Sequence, residues 1–432
     1  MAFAKENRFK LMVTPMLICK IAILSSFIPY RGAILGINSG TLLVLCCVAQ
    51  FLLTRRKFSI PWFYLLYVVS VVACIFVHFG SRTPYIHFIN ICQVLGVVYV
   101  VLVAIRGEHD KFDEIIEFLI KVFVVYGILG IIESFAKINI FDTLTGTQVV
   151  YEYANALRFG LARSRGAAGT SINNGMLLCL AEGIIAYQLL RSNNKKRLHT
   201  IAYIVVFINC FLTLSRGVWL DLIISQLLIF LSLKGGKKIV LVFKITIAGV
   251  ILFIVGMILF PSVVNGLMDI LNSMINSLIV SLSGGSASDE MGGIGNRFEL
   301  WGWVWISVRD SLIWGKGFDS TFAYLTPDGA IKQSIEVMWL YLLYRTGFVG
   351  MVGFIWLQIS CMVYSSKMHF KEKTATISNR SGFNYIFLVV SIAYYITMFS
   401  CAGSEDLIFY YFFIALLFAY NSLNTEEGKI SV

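Results

Sequence analysis

The chain is 432 residues long, 58% hydrophobic and only 14% charged, with a formal net charge of +11. A soluble protein carries about a quarter charged residues, so a water-soluble globular protein is excluded, and continuous apolar stretches without alternation exclude a β-barrel. The basic balance is that of loops facing anionic lipid; no basic patch with interleaved aromatics points to nucleic acid.

In chain order, apolar windows of about 18 or more residues predict an all-α polytopic integral membrane protein of about twelve transmembrane helices. The spans fall near 11–30, 33–53, 60–79, 85–105, 112–136, 171–190, 198–215, 217–233, 239–261, 340–365, 383–402 and 405–421. The first follows Lys5, Arg8 and Lys10 and lacks a small-residue cleavage site, so it reads as an uncleaved span. The nine cysteines lie almost wholly inside apolar segments, with neither metal-ligand spacing nor a disulfide framework.

Basic clusters fix the orientation. Lys5, Arg8 and Lys10 share a side with Arg55-Arg56-Lys57, Arg106 and Lys111, and with Arg191, Lys195, Lys196 and Arg197. Lys234, Lys237 and Lys238 fall there too, as do Lys367, Lys371, Lys373 and Arg380. Both termini are therefore expected in the cytoplasm. The chain divides into N-terminal helices (1–136), an outer loop (137–170), central helices (171–261), a large outer loop with amphipathic helices (262–339), and C-terminal helices with a short tail (340–432).

The large outer loop begins with Gly- and Ser-rich stretches (283–288 and 292–295) and becomes aromatic at Arg297-Phe-Glu-Leu-Trp-Gly-Trp-Val-Trp305. Trp301 and Trp305, four residues apart, share a helix face and suit a helix lying at the membrane interface. Gly315-Lys316-Gly317 reads as a turn. Residues 335–364 are too long for one ordinary span; Gly347 and Gly350 predict a softened junction between a short helix and a span.

Candidate chemistry gathers on the outer face. Arg216 stands in Leu212-Thr-Leu-Ser-Arg216-Gly-Val-Trp219, between two apolar runs, where a charge costs roughly 2.5–3.5 kcal/mol on insertion scales. Arg158, Arg163 and Arg165 lie in the first outer loop, and Arg297 and Arg309 in the second. An arginine fork grips phosphate bidentately; the alternative for these cations is solvation or pairing with Glu152, Glu299 or Asp310. In Arg165-Gly-Ala-Ala-Gly-Thr-Ser-Ile-Asn173-Asn174, small residues and two amides offer donors to an oxyanion or a sugar. The same segment also reads as a helix start capped by Thr170 or Ser171. Glu336, where the second loop re-enters the membrane, is the candidate general base; the alternative is a helix-start carboxylate facing the dipole. Lys20, Glu133, Glu182, Asp221 and Lys244 are scattered membrane charges, able to pair across helices or snorkel. No P-loop, G-x-S-x-G, H-E-x-x-H or D-x-D motif is present where chemistry would need it.

Thr213-Leu-Ser-Arg216-Gly, Arg165 with Gly169 and Asn173-Asn174, Arg297-Phe-Glu-Leu-Trp301, and Gly315-Lys316-Gly317-Phe318 together resemble the O-antigen ligase and Wzy-type polymerase superfamily over roughly residues 157–353. The resemblance implies a metal-independent, cofactor-free, lipid-donor glycosyltransferase in the bacterial inner membrane. Its donor would be an oligosaccharide on undecaprenyl pyrophosphate at the periplasmic face. It implies that Arg165, Arg216 and Arg297 bind the pyrophosphate; beside it, the reading of the residues makes Arg216 and Glu336 the candidate catalytic groups and Asn173, Asn174, Trp301 and Lys316 the candidate substrate contacts. A chain-length regulator in the same membrane is the implied protein partner. In the ligase branch a histidine precedes the final long helix; here that place reads Ser334-Ile-Glu336-Val337, a departure that favours a polymerase. A ligase acting on lipid A core is the nearest alternative. A secondary transporter or lipid-linked oligosaccharide flippase is the non-enzyme alternative, expected to show repeat symmetry between halves and broken helices with midplane charges.

Overall fold

The computed structural model describes residues 14–28, 33–34, 37–54, 60–78, 92–105, 107–145, 157–158, 161–191, 196–232, 261, 265, 268–269, 272, 294–317, 320–325, 331–332, 335, 337–374, 382–398 and 407–430. Over these it is mostly helical. The helices are α1 (Pro15–Ser25), α2 (Ser39–Leu53), α3 (Trp62–Val77), α4 (Val97–Ile105, entered through a π-turn at Cys92–Gly96), α5 (His109–Ala136) and the short α6 (Ile140–Thr145). There follow α7 (Ser171–Arg191), α8 (Lys196–Leu212), α9 (Arg216–Ser232), α10 (Ile294–Val308), α11 (Met338–Thr374), α12 (Phe383–Met398) and α13 (Leu407–Ile430). Three two-residue antiparallel hairpins complete it: Ala33–Ile34 with Ile37–Asn38, Leu157–Arg158 with Leu161–Ala162, and Tyr324–Leu325 with Ile331–Lys332.

Helix α5 and residues Met338–Lys371 of α11 are each long and apolar enough to cross a membrane, and eight shorter apolar helices accompany them. Helices occur within eleven of the twelve expected spans; of the one near 239–261 only its last residue, Pro261, is described. Several boundaries differ, three of them with a visible cause. Ala33–Ile34 pairs antiparallel with Ile37–Asn38, so α2 starts only at Ser39. Helix α5 starts earlier than expected, because its polar first turn is invisible to an apolar window. Helix α11 continues to Thr374, so Lys367, Lys371 and Lys373 extend a helix instead of lying in a loop.

Helix α7 is the axis of the bundle. Every residue from Asn173 to Gln188 is buried, the pattern of a helix covered on all faces. Helices α5, α8, α9 and α12 pack around it, with α3 on α11 and α4 on α13 beyond. Close approach of α5 to α8 depends on small residues, as in membrane helix packing. A Cβ at Gly127 would lie 2.7 Å from Val205 Cγ1, and one at Gly130 would lie 2.3 Å from Asn209 Nδ2.

The end of the bundle where α5 begins is stapled by charge. Asp113, Glu114 and Glu117 of α5 meet Arg191 of α7, Lys20 of α1 and His199 of α8 respectively, the last with Nε2 2.8 Å from Glu117 Oε1. Gln188 also donates to Glu117. The opposite end, called the loop end below, carries the end of α5, the starts of α7 and α9, and residues 161–170.

The expected junction inside α11 is at Gly347, whose backbone leaves the helix at φ 62°, ψ −163°. The Gly315–Gly317 turn fills the break: Lys316 N donates to Tyr344 O at 2.7 Å and Gly317 N to Arg345 O at 3.0 Å. A Cβ at Gly347 would lie 2.4 Å from Ile313 O. Gly347→Ala is therefore expected to cost at least about 1–3 kcal/mol from the backbone conformation, read as a lower unfolding midpoint of detergent-solubilised protein. An unchanged midpoint would show that the break does not depend on glycine.

Candidate functional site

The loop that leads into α7 is organised by a carboxylate, Glu133, near the end of α5 and 2% exposed. Its Oε2 accepts from Arg165 N at 3.1 Å and Gly166 N at 2.9 Å, and its Oε1 accepts from Asn139 Nδ2 at 2.9 Å. Asn139 Nδ2 also donates to Gly166 O, and its Oδ1 accepts from Phe141 N and Asp142 N, which starts α6. Gly166 needs its glycine: φ is 53°, and a Cβ would lie 2.1 Å from the Tyr126 hydroxyl oxygen. That hydroxyl accepts from Ala167 N and donates to Asn174 Oδ1 at 2.7 Å.

Arg165 is clamped inside this knot. Its Nη2 donates to Asp142 Oδ2 at 2.7 Å and its Nε lies 3.8 Å from Glu133 Oε1. Burial pushes the Asp142 carboxyl above its ordinary range, and the Arg165 guanidinium partly offsets that. A pyrophosphate reaching Arg165 would therefore meet a cation already shared with two carboxylates. Asn174 is fully engaged as well, with Nδ2 on Ser164 O and Ser164 Oγ at 3.2 and 3.0 Å. Its place is structural: it hangs the loop on α7. Thr170 caps α7 by accepting from Asn173 N at 3.1 Å, the helix-start alternative. Asn173 is 3% exposed, and its Oδ1 has no hydrogen-bond partner among the described residues.

The knotted loop is joined to the turn that precedes Arg216. Ser164 N donates to Leu212 O at 2.9 Å, and Arg163 Nε donates to Thr213 O at 3.1 Å. Leu161 packs with Leu212, Leu214 and Trp219. Leu214 holds a left-handed φ of 50°, a conformation that costs a leucine on the order of 1–3 kcal/mol. The tight turn lets α9 begin at Arg216 directly beside the loop. Two helix N-termini, those of α7 and α9, thus share the loop end, and both favour an anion.

A second group surrounds the break in α11. Trp301 and Trp305 of α10, with Trp339, Leu340, Leu343, Phe348 and Met351 of α11, line an apolar groove of ≈ 730 Å³. Lys316 is exposed at the turn that fills the break, and His78 Nε2 lies 3.1 Å from Trp314 O. Arg345, which the sequence reading passed over, lies over the Tyr341 ring at 4.6 Å. Their four-residue spacing on one helix was the available signal. Arg309 is exposed beside Asp310 at 3.8 Å, a surface pair worth little.

The structure therefore gathers Arg163, Arg165, Asn173 and Asn174 beside the start of α9, and Trp301, Trp305 and Lys316 beside the break in α11. The description of Arg216 and Arg297 stops at the backbone, and Glu336 lies outside the described residues. Among the described residues no group of three or more His, Cys, Asp or Glu side chains is placed to hold a metal ion.

Two helices long and apolar enough to cross a membrane, packed with eight shorter apolar ones, are consistent with a helical membrane protein. Residues 201–355 match the family model Wzy_C, O-Antigen ligase. That segment runs from α8 to the middle of α11, about a third of the chain, and includes Arg216, Trp301, Lys316 and the break at Gly347. The match supports the O-antigen ligase and Wzy-type superfamily, and with it an O-antigen ligase/polymerase-type, glycosyltransferase-like role in O-antigen and lipopolysaccharide biosynthesis. No curated protein matches the chain.

Proposed function

We propose that this protein is a Wzy-type polysaccharide polymerase of the bacterial inner membrane. It joins undecaprenyl-pyrophosphate-linked oligosaccharide repeats en bloc at the periplasmic face, with inversion and without a metal or cofactor. The observation that carries this reading is the pair of hydrogen bonds from Arg163 and Ser164 to Thr213 and Leu212. They set the arginine-bearing loop against the start of the Arg216 helix.

In the proposed reaction, a hydroxyl oxygen of the acceptor repeat attacks the anomeric carbon of the donor glycan. The bond from that carbon to the pyrophosphate oxygen breaks, and undecaprenyl pyrophosphate leaves with the electron pair. Glu336 takes the hydroxyl proton. Arg216, with Arg165 and Arg297, stabilises the charge on the leaving group. Asn173 and Lys316 are the polar substrate contacts. The groove beside Trp301 is apolar, which suits a hydrocarbon chain of a lipid-linked substrate better than a sugar. A chain-length regulator would act from the same membrane.

Purified protein supplied with a lipid-linked repeat unit is expected to produce a ladder of longer glycans without any other enzyme. Failure to elongate would overturn the polymerase reading, and a flippase could not elongate at all. Glu336→Gln is expected to lower the elongation rate by about 10²–10⁴, the range of general base catalysis; near-normal elongation would remove Glu336 from that role.

The second reading is a ligase, favoured by the description of the matching family. A deletion strain separates the two: lipid A core capped with a single repeat marks a lost polymerase, and bare core a lost ligase.

A further inference from the structure

The packed centre of the bundle holds two carboxylates that the proposed reaction leaves unused. Glu182, midway along α7, is 1% exposed, and Asp221 of α9 is 0% exposed. Gln226 Nε2 donates to Glu182 Oε2 at 2.8 Å, and Gln226 in turn accepts from the Tyr203 hydroxyl of α8. Among the described residues no N–H or O–H group donates to Glu182 Oε1 or to either Asp221 oxygen, and the weak Cys179 thiol donor is the group that approaches Asp221. The two carboxylates are within electrostatic reach of each other, and the Cys179 and Cys210 thiols stand beside them. No lysine, arginine or histidine among the described residues forms an ion pair with either acid. The fourth wall, α12, brings Tyr385, whose hydroxyl is spent on Leu228 O at 2.8 Å.

Two carboxylates without a counter-charge are strongly unfavourable in a low-dielectric interior, and ionisable residues at membrane depth are rare without a task. Nothing local in the chain links Glu182 to Asp221, which stand 39 residues apart (221 − 182) on different helices. Buried acceptor oxygens with no strong donor, held by two packed helices, are groups that a bound cation would satisfy.

We propose that Glu182 and Asp221 form a binding site for a small monovalent cation, a proton or an alkali ion, which neutralises the pair and ties α7 to α9. Asp221 is about 8 Å along α9 from Arg216, at 1.5 Å per residue. Loading the site therefore fixes the helix whose first residue is Arg216. The site does not depend on the polymerase reading.

The test uses the full-length protein in lipid nanodiscs. Its unfolding midpoint is followed in sodium chloride and in choline chloride at equal ionic strength, and its infrared spectrum is recorded at neutral pH. For an alkali ion, sodium raises the midpoint, and the rise vanishes in the Glu182→Gln/Asp221→Asn double variant. For a proton, sodium has no effect, and the wild type shows a protonated-carboxyl C=O band that the double variant loses. If the double variant does not fold, Asp221→Asn alone is compared. A wild type with neither sodium response nor protonated-carboxyl band overturns the proposal, as does either signal persisting unchanged in the variants.

Discussion

Arg216→Ala is expected to abolish long glycan chains while single repeats and the amount of membrane-inserted protein stay unchanged. The residue opens α9 at the loop end, where the helix dipole already favours an anion. Removing one preorganised donor to a developing charge typically costs 10²–10³ in rate, about 3–4 kcal/mol. A polymer needs many successive additions, so even the smaller loss empties the long-chain part of the ladder. Arg216→Lys keeps the charge but loses the planar fork, and an intermediate chain length is expected. Glycan ladders on gels, normalised to an immunoblot, read both variants. Normal chain lengths in Arg216→Ala would remove the residue from pyrophosphate binding.

The second large effect belongs to Glu133. Glu133→Ala strands the Arg165 and Gly166 amides, removes a partner of Asn139, and leaves the Arg165 guanidinium with one carboxylate fewer. Breaking a buried charged pair from one side costs about 3–5 kcal/mol. The expected result is a large fall in unfolding midpoint and little folded protein in the membrane. Glu133→Gln keeps an acceptor for the two amides and should lose less. Wild-type stability in Glu133→Ala would mean that the knot does not hold the loop.

This knot marks the limit of what the chain alone discloses. Glu133 reads as one of several scattered membrane charges, and Arg165 as a cation open to phosphate. In the fold they are partners, joined across 32 residues and seconded by Asp142 and Asn139. Asn174 reads as a substrate amide and is consumed holding Ser164 and Tyr126. In each case local sequence supplies the chemistry of one side chain but not its partner, and the partner decides whether the group is available. Other features were legible because their cause is local. The paired tryptophans fall on one helix, α10, because four residues make about one turn. The break at Gly347 was visible because glycine tolerates the positive φ found there.

Apolar run length and glycine placement act within a few residues, so the positions of most described helices and of the break at Gly347 were legible in the chain. Sequence by itself also determined the superfamily resemblance that the match over residues 201–355 supports. Helix packing alone ties the Arg165 loop to the turn before Arg216, sets Glu133 against the Arg165 guanidinium, and brings Glu182 and Asp221 within electrostatic reach of each other inside the bundle. Those are contacts between helices. They follow from which faces of α5, α7, α8 and α9 are buried together, and helix packing, rather than chain order, sets that.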